Sequence, residues 1–177
     1  MNFDFSVPPG WSAAPLPQGG RGLLLQPPPT ADFMERAALF LLDPLSAEGT
    51  LTQQLEHAVQ KSLSNVTVLH RGPPQPLPGA AFPGLLVPAL AQLEQPSKDG
   101  PQKIEEGRLY MMLDSGADRL LIVFCGGQRS LPKYQSAIDG FLRSIRPSGN
   151  AAAANSEAAS GAGSGPGASS PLSSFSE

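Results

Sequence analysis

A change of composition at residue 147 limits the part of this chain that can fold. Residues 147–177 are mostly Ser, Ala, Gly and Pro, contain no Lys or Arg, and have Leu172 and Phe175 as their large apolar residues. Such a segment cannot bury enough apolar surface to offset the conformational entropy that folding costs. The sequence therefore predicts one domain over residues 1–146 and a disordered tail over 147–177.

Charge and cysteine content exclude several classes of protein. The 12 basic and 15 acidic residues give a net charge of −3, and the basic residues are spread along the domain, so nucleic acid is not an expected partner. The single cysteine, Cys125, excludes an internal disulfide. No cofactor is required for folding, because a domain of this length can build its own core.

No segment has the length and hydropathy of a membrane span or a signal peptide. The longest apolar run, Leu120–Cys125, is far shorter than the roughly 18 residues that a membrane span needs. The first residues lack a basic region followed by an apolar one. The sequence as written therefore predicts a cytoplasmic protein.

The strongest helical signal lies at the end of the domain. Apolar residues recur there with the period of an α-helix. They are Tyr134, Ala137, Ile138, Phe141, Leu142 and Ile145. The pattern predicts a helix over 131–146, with Ser130 as its N-cap, Arg143 and Arg146 in its last turn, and Pro147 as the residue that stops it.

A second helix is indicated by its capping residues. Thr50 is followed three residues later by Gln53, which has the form of a capping box. Apolar residues then recur every four positions, at Leu51, Leu55, Val59 and Leu63. We expect an amphipathic helix over 50–64, followed by a β-branched strand at Val66–Leu69.

Two apolar runs around a short turn predict a β-hairpin. They are Gly107–Leu113 and Arg119–Cys125, and the turn between them is bounded by Asp114 and Asp118, which suit turn positions. Because Leu120–Phe124 is continuously apolar, this segment is expected to be a central strand buried on both faces.

Shorter strands are predicted before the first helix. Phe3–Val7 alternates as a half-buried strand does, and Trp11 after it is expected to close one end of the core. Gly22–Gln26 is bounded by residues that break strands. Glu35–Leu42 suits a central buried strand, although its Leu and Ala residues also suit a helix.

Prolines interrupt the chain between the two halves of the domain. They exclude a long helix over 72–101, where we expect loops. Within this stretch Leu85–Leu93 is apolar enough for an edge strand, in which Pro88 would be tolerated.

The turn between the hairpin and the last helix is the strongest candidate site. Its sequence, Cys-Gly-Gly-Gln-Arg-Ser, could receive an anion on free N–H groups. It lacks the arginine spacing of phosphatase loops, since Leu131 stands there, and the Gly-Lys-Ser/Thr of a Walker loop. A structural turn is favoured, and Cys125, Gly126, Gly127 and Arg129 remain the candidate binding residues.

Other reactive residues do not form a credible catalytic or metal site. The two histidines, His57 and His70, lack a short spacing to the cysteine, which disfavours both a cysteine nucleophile and a zinc site. Glu105 and Glu106 are adjacent, so in a strand they would point to opposite faces and be solvated.

Two segments resemble the PsbP-like fold. They are Phe5-Ser6-Val7-Pro8-Pro9-Gly10-Trp11 and the closing helix with its Ser144-Ile145 ending. The resemblance covers about residues 3–146 and implies a mainly antiparallel sheet with helices packed on its faces, in an α/β/α sandwich. It also implies a role in binding other proteins rather than catalysis, and it transfers no functional residue.

These observations together predict an α+β protein without enzymatic activity that binds another protein. The sheet face or the segment 72–101 would be the contact surface, since loops on a rigid scaffold commonly carry recognition. Two alternatives stay open: a chaperone for the effectors of a bacterial secretion system, and a small-molecule binder or enzyme that uses the turn from Cys125 to Ser130.

Overall fold

A computed structural model of the chain describes residues 3–95 and 100–148. Within these residues, nine strands form one sheet, two short strands form a separate pair, and two α-helices cover the sheet. The helices are α1, Leu51–Leu63, and α2, Ser130–Ser144. The strands are β1 Phe3–Asp4, β2 Ser12–Pro15, β3 Gly22–Gln26, β4 Ala37–Leu42, β5 Leu45–Ser46, β6 Thr67–Arg71, β7 Gln75–Pro76, β8 Gly84–Gln95, β9 Gln102–Asp114, β10 Asp118–Gly126 and β11 Arg146–Pro147.

The large sheet is antiparallel throughout its described pairings. Its order is β2-β3-β4-β10-β9-β8-β6, with β5 paired to β10 and β7 paired to β8. The predicted fold class, α+β with a mainly antiparallel sheet, is confirmed. Most of the predicted tail, from residue 149 onward, lies outside the described residues.

The two helices pack on opposite faces of the sheet. On one face, α2 and the sheet share a buried core. It contains Phe141 of α2 and the sheet residues Leu39, Met111, Ile122 and Phe124. On the other face, α1 covers a second core, which contains the buried residues Leu55, Val59, Val87, Tyr110, Met112 and Leu121. The chain is therefore an α/β/α sandwich, as predicted.

Helix α1 begins as its sequence predicts. The Thr50 hydroxyl accepts the N–H of Gln53 at 3.1 Å, and the Gln53 side-chain oxygen accepts the N–H of Thr50 at 3.1 Å. This capping box satisfies two N–H groups that have no partner inside the helix. Leu55, Val59 and Leu63 then bury the predicted stripe.

Helix α2 differs at both ends from the prediction. Ser130 is its first residue rather than its N-cap, because its hydroxyl donates to the carbonyl of Gly127 at 2.6 Å. The helix ends at Ser144, and Arg146 lies in the following strand, where its guanidinium donates to the carbonyls of Arg143 and Ile145. Arg143 is in the last turn, as predicted.

The predicted hairpin is confirmed as β9 and β10. Leu120–Phe124 is buried on both faces, between β4 and β9. Asp114 has the predicted turn role, since its carboxylate accepts the N–H of Gly116 at 2.9 Å. Arg119, at the start of β10, is 6% exposed and donates to Asp114 and to the chain before α1.

The prediction of an edge strand at Leu85–Leu93 was wrong in its position. This segment belongs to β8, which lies inside the sheet between β9 and the pair β6 and β7. Pro88 is tolerated there because it lies opposite the gap between Arg71, where β6 ends, and Gln75, where β7 begins. At this gap no described strand requires the N–H that proline lacks. Its carbonyl still accepts the N–H of Gly72 at 2.9 Å.

The N-terminal strand is shorter than predicted. Only Phe3–Asp4 pairs, because its partner β11 has two residues. Phe5 nevertheless packs edge-on against Phe141, and Trp11 packs edge-on against Tyr134, both with ring centroids 5.5 Å apart. The strands predicted near residues 22–26 and 35–42 are present as β3 and β4.

Candidate functional site

Helix α1 leaves part of its sheet face uncovered. Its N-terminus lies beside Arg119, and Ser62 near its C-terminus contacts Tyr110. Beyond Tyr110 neither of the described α-helices covers the ends of β4, β8, β9 and β10, and an open cleft of about 520 Å³ lies there, bordered by the short 3-10 helix Phe33–Glu35. Its apolar walls include Phe33, Ala38, Phe40, Leu93 and Ile104.

The floor of the cleft carries a half-buried arginine, Arg108. In the sheet it lies beside Cys125 of β10 and Ala89 of β8. Its Nε donates to Glu106 Oε1 at 2.8 Å, and its Nη1 donates to the Tyr110 hydroxyl at 3.4 Å. The Tyr110 hydroxyl also hydrogen-bonds the Ser62 hydroxyl at 2.9 Å, which ties the floor of the cleft to α1.

The charge of Arg108 is fixed by this network. Burial opposes its positive charge, but the hydrogen bonds to Tyr110 and Glu106 outweigh that cost and raise the pKa of Arg108. The guanidinium therefore stays protonated at any pH at which the protein folds, and it acts as a permanent cation next to the apolar walls.

Cys125 lies on the same floor and is poorly suited to be a nucleophile. Burial, reinforced by the nearby Glu106 carboxylate, raises the pKa of its thiol to about 12. The thiolate is the reactive form, and at neutral pH nearly all molecules carry Cys125 as the unreactive thiol. Neither histidine lines the cleft, and His57 is exposed.

The structure brings three of the four candidate turn residues to the cleft. Cys125, Gly126 and Gly127 line it, whereas Arg129 pairs with Asp32 at 2.5 Å. The Gly127 N–H donates to the carbonyl of Arg36, and the Arg129 N–H donates to that of Met34. These N–H groups are thus used within the fold rather than offered to an anion.

Packing explains why this turn contains glycine at positions 126 and 127. A Cβ atom at Gly127 would lie 2.5 Å from the carbonyl oxygen of Met34, and one at Gly126 would lie 2.0 Å from the Ser130 hydroxyl. Both distances are shorter than real side-chain contacts allow. The turn needs glycine because residues 34–36 pack directly on it.

Sequence reasoning missed Arg108 and misjudged Glu106. Glu105 and Glu106 do point to opposite faces, since Glu105 accepts from Gln128 and Glu106 pairs with Arg108. The Glu106 side chain is only 25% exposed, so the expectation that both are solvated fits Glu105 alone. The signal was the alternation Glu106-x-Arg108-x-Tyr110, which puts three polar groups on one face of a strand.

Two other classes of site were tested on the described residues. No group of three or more His, Cys, Asp or Glu residues among them could hold a metal ion. None of the helices described here is long and apolar enough to cross a membrane.

The chain is similar in structure to several solved proteins. LpqN of Mycobacterium tuberculosis, which is involved in cell envelope biogenesis, has a TM-score of 0.51 and 10% identity, with 81% of each chain covered. Cyanobacterial PsbP from Synechocystis sp. PCC 6803 has a TM-score of 0.44 and 11% identity, with 82% of this chain and 86% of that chain covered. A protein from Bacteroides thetaiotaomicron VPI-5482 has a TM-score of 0.43 and 8% identity, with 82% of this chain covered.

These similarities concern the fold alone. PsbP is among the matched structures, as the resemblance in sequence predicted. The chain spans only 45% of the Bacteroides protein. No protein-family model matches the chain, and no curated protein matches it.

Proposed function

We propose that this chain is a binding module without enzymatic activity that holds a partner protein in the cleft beside α1. The observation that carries the proposal is the unequal cover of the sheet: the α2 face keeps a cleft of about 300 Å³ beside Leu131, whereas on the other face α1 stops at Tyr110 and leaves the larger apolar cleft of about 520 Å³. Exposed apolar patches rimmed by polar residues commonly mark protein-interaction sites or ligand-binding grooves.

The chemistry of the cleft supports binding rather than catalysis. Its thiol is held protonated, and the cation on its floor, Arg108, is already paired with Glu106. A cysteine nucleophile needs a neighbour that favours the thiolate, such as a histidine, and no histidine is among the described lining residues; burial and the Glu106 carboxylate beside Cys125 instead raise the pKa of the thiol. What the cleft offers is shape, apolar area and fixed charge.

Site-specific photo-crosslinking in the native host tests this proposal. A benzoylphenylalanine at position 104, in the cleft, should crosslink one dominant protein, which mass spectrometry then identifies. The same group at position 69, on the β6 edge where Leu69 is 44% exposed, is the matched control and should not crosslink it. Equal crosslinking from both positions, or none from position 104, would contradict the proposal.

A small-molecule ligand is the second candidate. A volume of about 520 Å³ is within the range of ligand pockets, and Cys125, Gly126 and Gly127 are among the residues that line it. A thermal-shift screen of amphipathic carboxylates separates the two candidates. A ligand that stabilises the protein, and whose effect Ala38→Trp removes, would favour a small molecule.

The effector-chaperone role and the cytoplasmic location stay predictions from the sequence. The identity of the protein crosslinked at position 104 decides the first, because a chaperone would capture an exported effector. Fractionation of the host cells decides the second.

A further inference from the structure

At its N-terminal end, strand β9 extends beyond its neighbour β10. It pairs with β8 along its whole length to Gln102, but its pairing with β10 ends at Gly107. Beyond Gly126 the chain turns into α2, and no described strand continues in the place of β10. Residues 102–106 of β9 therefore form an open strand edge, and this edge borders the cleft.

The direction of the backbone groups on this edge follows from one hydrogen bond. The Asp114 N–H donates to the carbonyl of Pro83, on the side of β8. In an antiparallel strand, N–H and C=O groups of successive residues point to alternate sides. The backbone N–H and C=O groups of even-numbered residues of β9 thus point to β8. Those of Lys103 and Glu105 point to the open side.

The side chains at this edge indicate what could pair with it. The side chains of Ile104 and Glu106 lie on the cleft side of β9. A strand added to the edge would therefore direct every second side chain of its own into the cleft. Arg36, on the opposite wall, is exposed and is held over the Phe33 ring at 5.2 Å, and none of the described ion pairs includes it.

We infer that the partner contributes an extended segment that adds as a strand to β9 beside Lys103 and Glu105. An apolar side chain of this segment, opposite Ile104, fills the cleft, and an acidic side chain pairs with Arg36. Main-chain hydrogen bonds along an open edge supply affinity, while alternate side chains supply specificity. This inference rests on the proposed function and specifies how the partner is held.

The test uses a phage-displayed library of random 12-residue peptides selected on the full chain. The enriched peptides should combine large apolar residues with Asp or Glu, and their binding should protect the Lys103 and Glu105 amides from hydrogen exchange. A basic consensus, no enrichment, or binding without protection of these two amides would overturn the inference.

A matched pair of variants isolates the strand edge. Glu105→Pro removes an N–H that faces the open side and leaves pairing with β8 intact, whereas Glu105→Ala keeps the N–H and removes only the carboxylate. The selected peptide should bind Glu105→Pro at least about tenfold more weakly than Glu105→Ala. Equal affinities for the two variants would overturn the inference, and if Glu105→Pro does not fold, the amide protection of the unmodified chain decides.

The same variants separate this inference from the proposed function. A partner that crosslinks at position 104 yet binds Glu105→Pro and Glu105→Ala equally would leave the cleft as the binding surface and remove the added strand. If nothing crosslinks at position 104, the proposed function itself fails.

Discussion

The two faces of the central sheet are built from the same strands but are covered very differently. On one face, α2 and the N-terminal segment bury a core that includes Phe3, Phe124 and Phe141, with a cleft of about 300 Å³ beside the start of α2. On the other, α1 buries a core that ends at Tyr110, and the cleft begins beyond it. The difference teaches that most of the α2 face serves the core, whereas the α1 face is divided between a core and the cleft that we propose as the binding surface.

The largest expected effect is in the core under α2. Phe141 is 2% exposed and packs against Phe5, so Phe141→Ala should lower the free energy of unfolding by about 3–5 kcal/mol. Urea denaturation measures this change. Ile104→Ala, in the half-buried wall of the cleft, is the control and should cost far less. Equal losses would mean that the two faces do not differ as described.

The thiol of Cys125 reports on the floor of the cleft. With its pKa raised from 9.0 to about 12, the folded protein at pH 8 should react with iodoacetamide roughly a thousandfold more slowly than the chain unfolded in urea. Because the thiolate is the reactive form, the folded rate should still rise about tenfold per pH unit between about pH 8 and pH 10. A folded rate that levels off below pH 9 would contradict the burial of this side chain.

Two arginines on the α1 face sharpen the comparison between its covered and open parts. Under α1, Arg119 donates to Asp114, Gln54 and the carbonyls of two further residues. Arg119→Met removes the guanidinium donor from all of these acceptors and should cost about 2–3 kcal/mol in urea denaturation. The exposed Arg143→Met is the control, and similar values for the two variants would be evidence against a buried network.

The second arginine, Arg108, lies in the open part. Its side chain is 13% exposed at the cleft, so water can hydrate the Glu106 carboxylate that Arg108→Met would leave unpaired. We expect a cost of about 1 kcal/mol, smaller than that of Arg119→Met, in the same denaturation measurement. A cost equal to or above that of Arg119→Met would show that the floor of the cleft is closed core.

Much of the fold could be predicted because its signals are local. The capping box at Thr50, the continuous apolar run of β10 and the helical period of α2 each depend on neighbouring residues. The predictions that failed needed knowledge of distant partners. Pro88 was expected at a sheet edge, and its place inside the sheet depends on a gap between β6 and β7 that no local pattern encodes.

The candidate site could be predicted only in part for the same reason. The turn at Cys125 was found from its glycines, which prove to allow the close approach of residues 34–36. The cleft itself depends on where α1 stops along the sheet, and that follows from packing between elements far apart in sequence. Arg108 gained its significance only when its neighbours were known.

The central claim, that the open part of the α1 face is the binding surface, is tested most directly by filling the cleft. Ala38→Trp places a large ring between Phe40 and Cys125, whereas Leu69→Trp adds the same ring at the exposed β6 edge. With both variants shown to be folded by thermal denaturation, the affinity for the protein crosslinked at position 104 is measured by calorimetry. We predict a loss of about a hundredfold or more for Ala38→Trp and less than about twofold for Leu69→Trp; unchanged affinity for Ala38→Trp would contradict the claim.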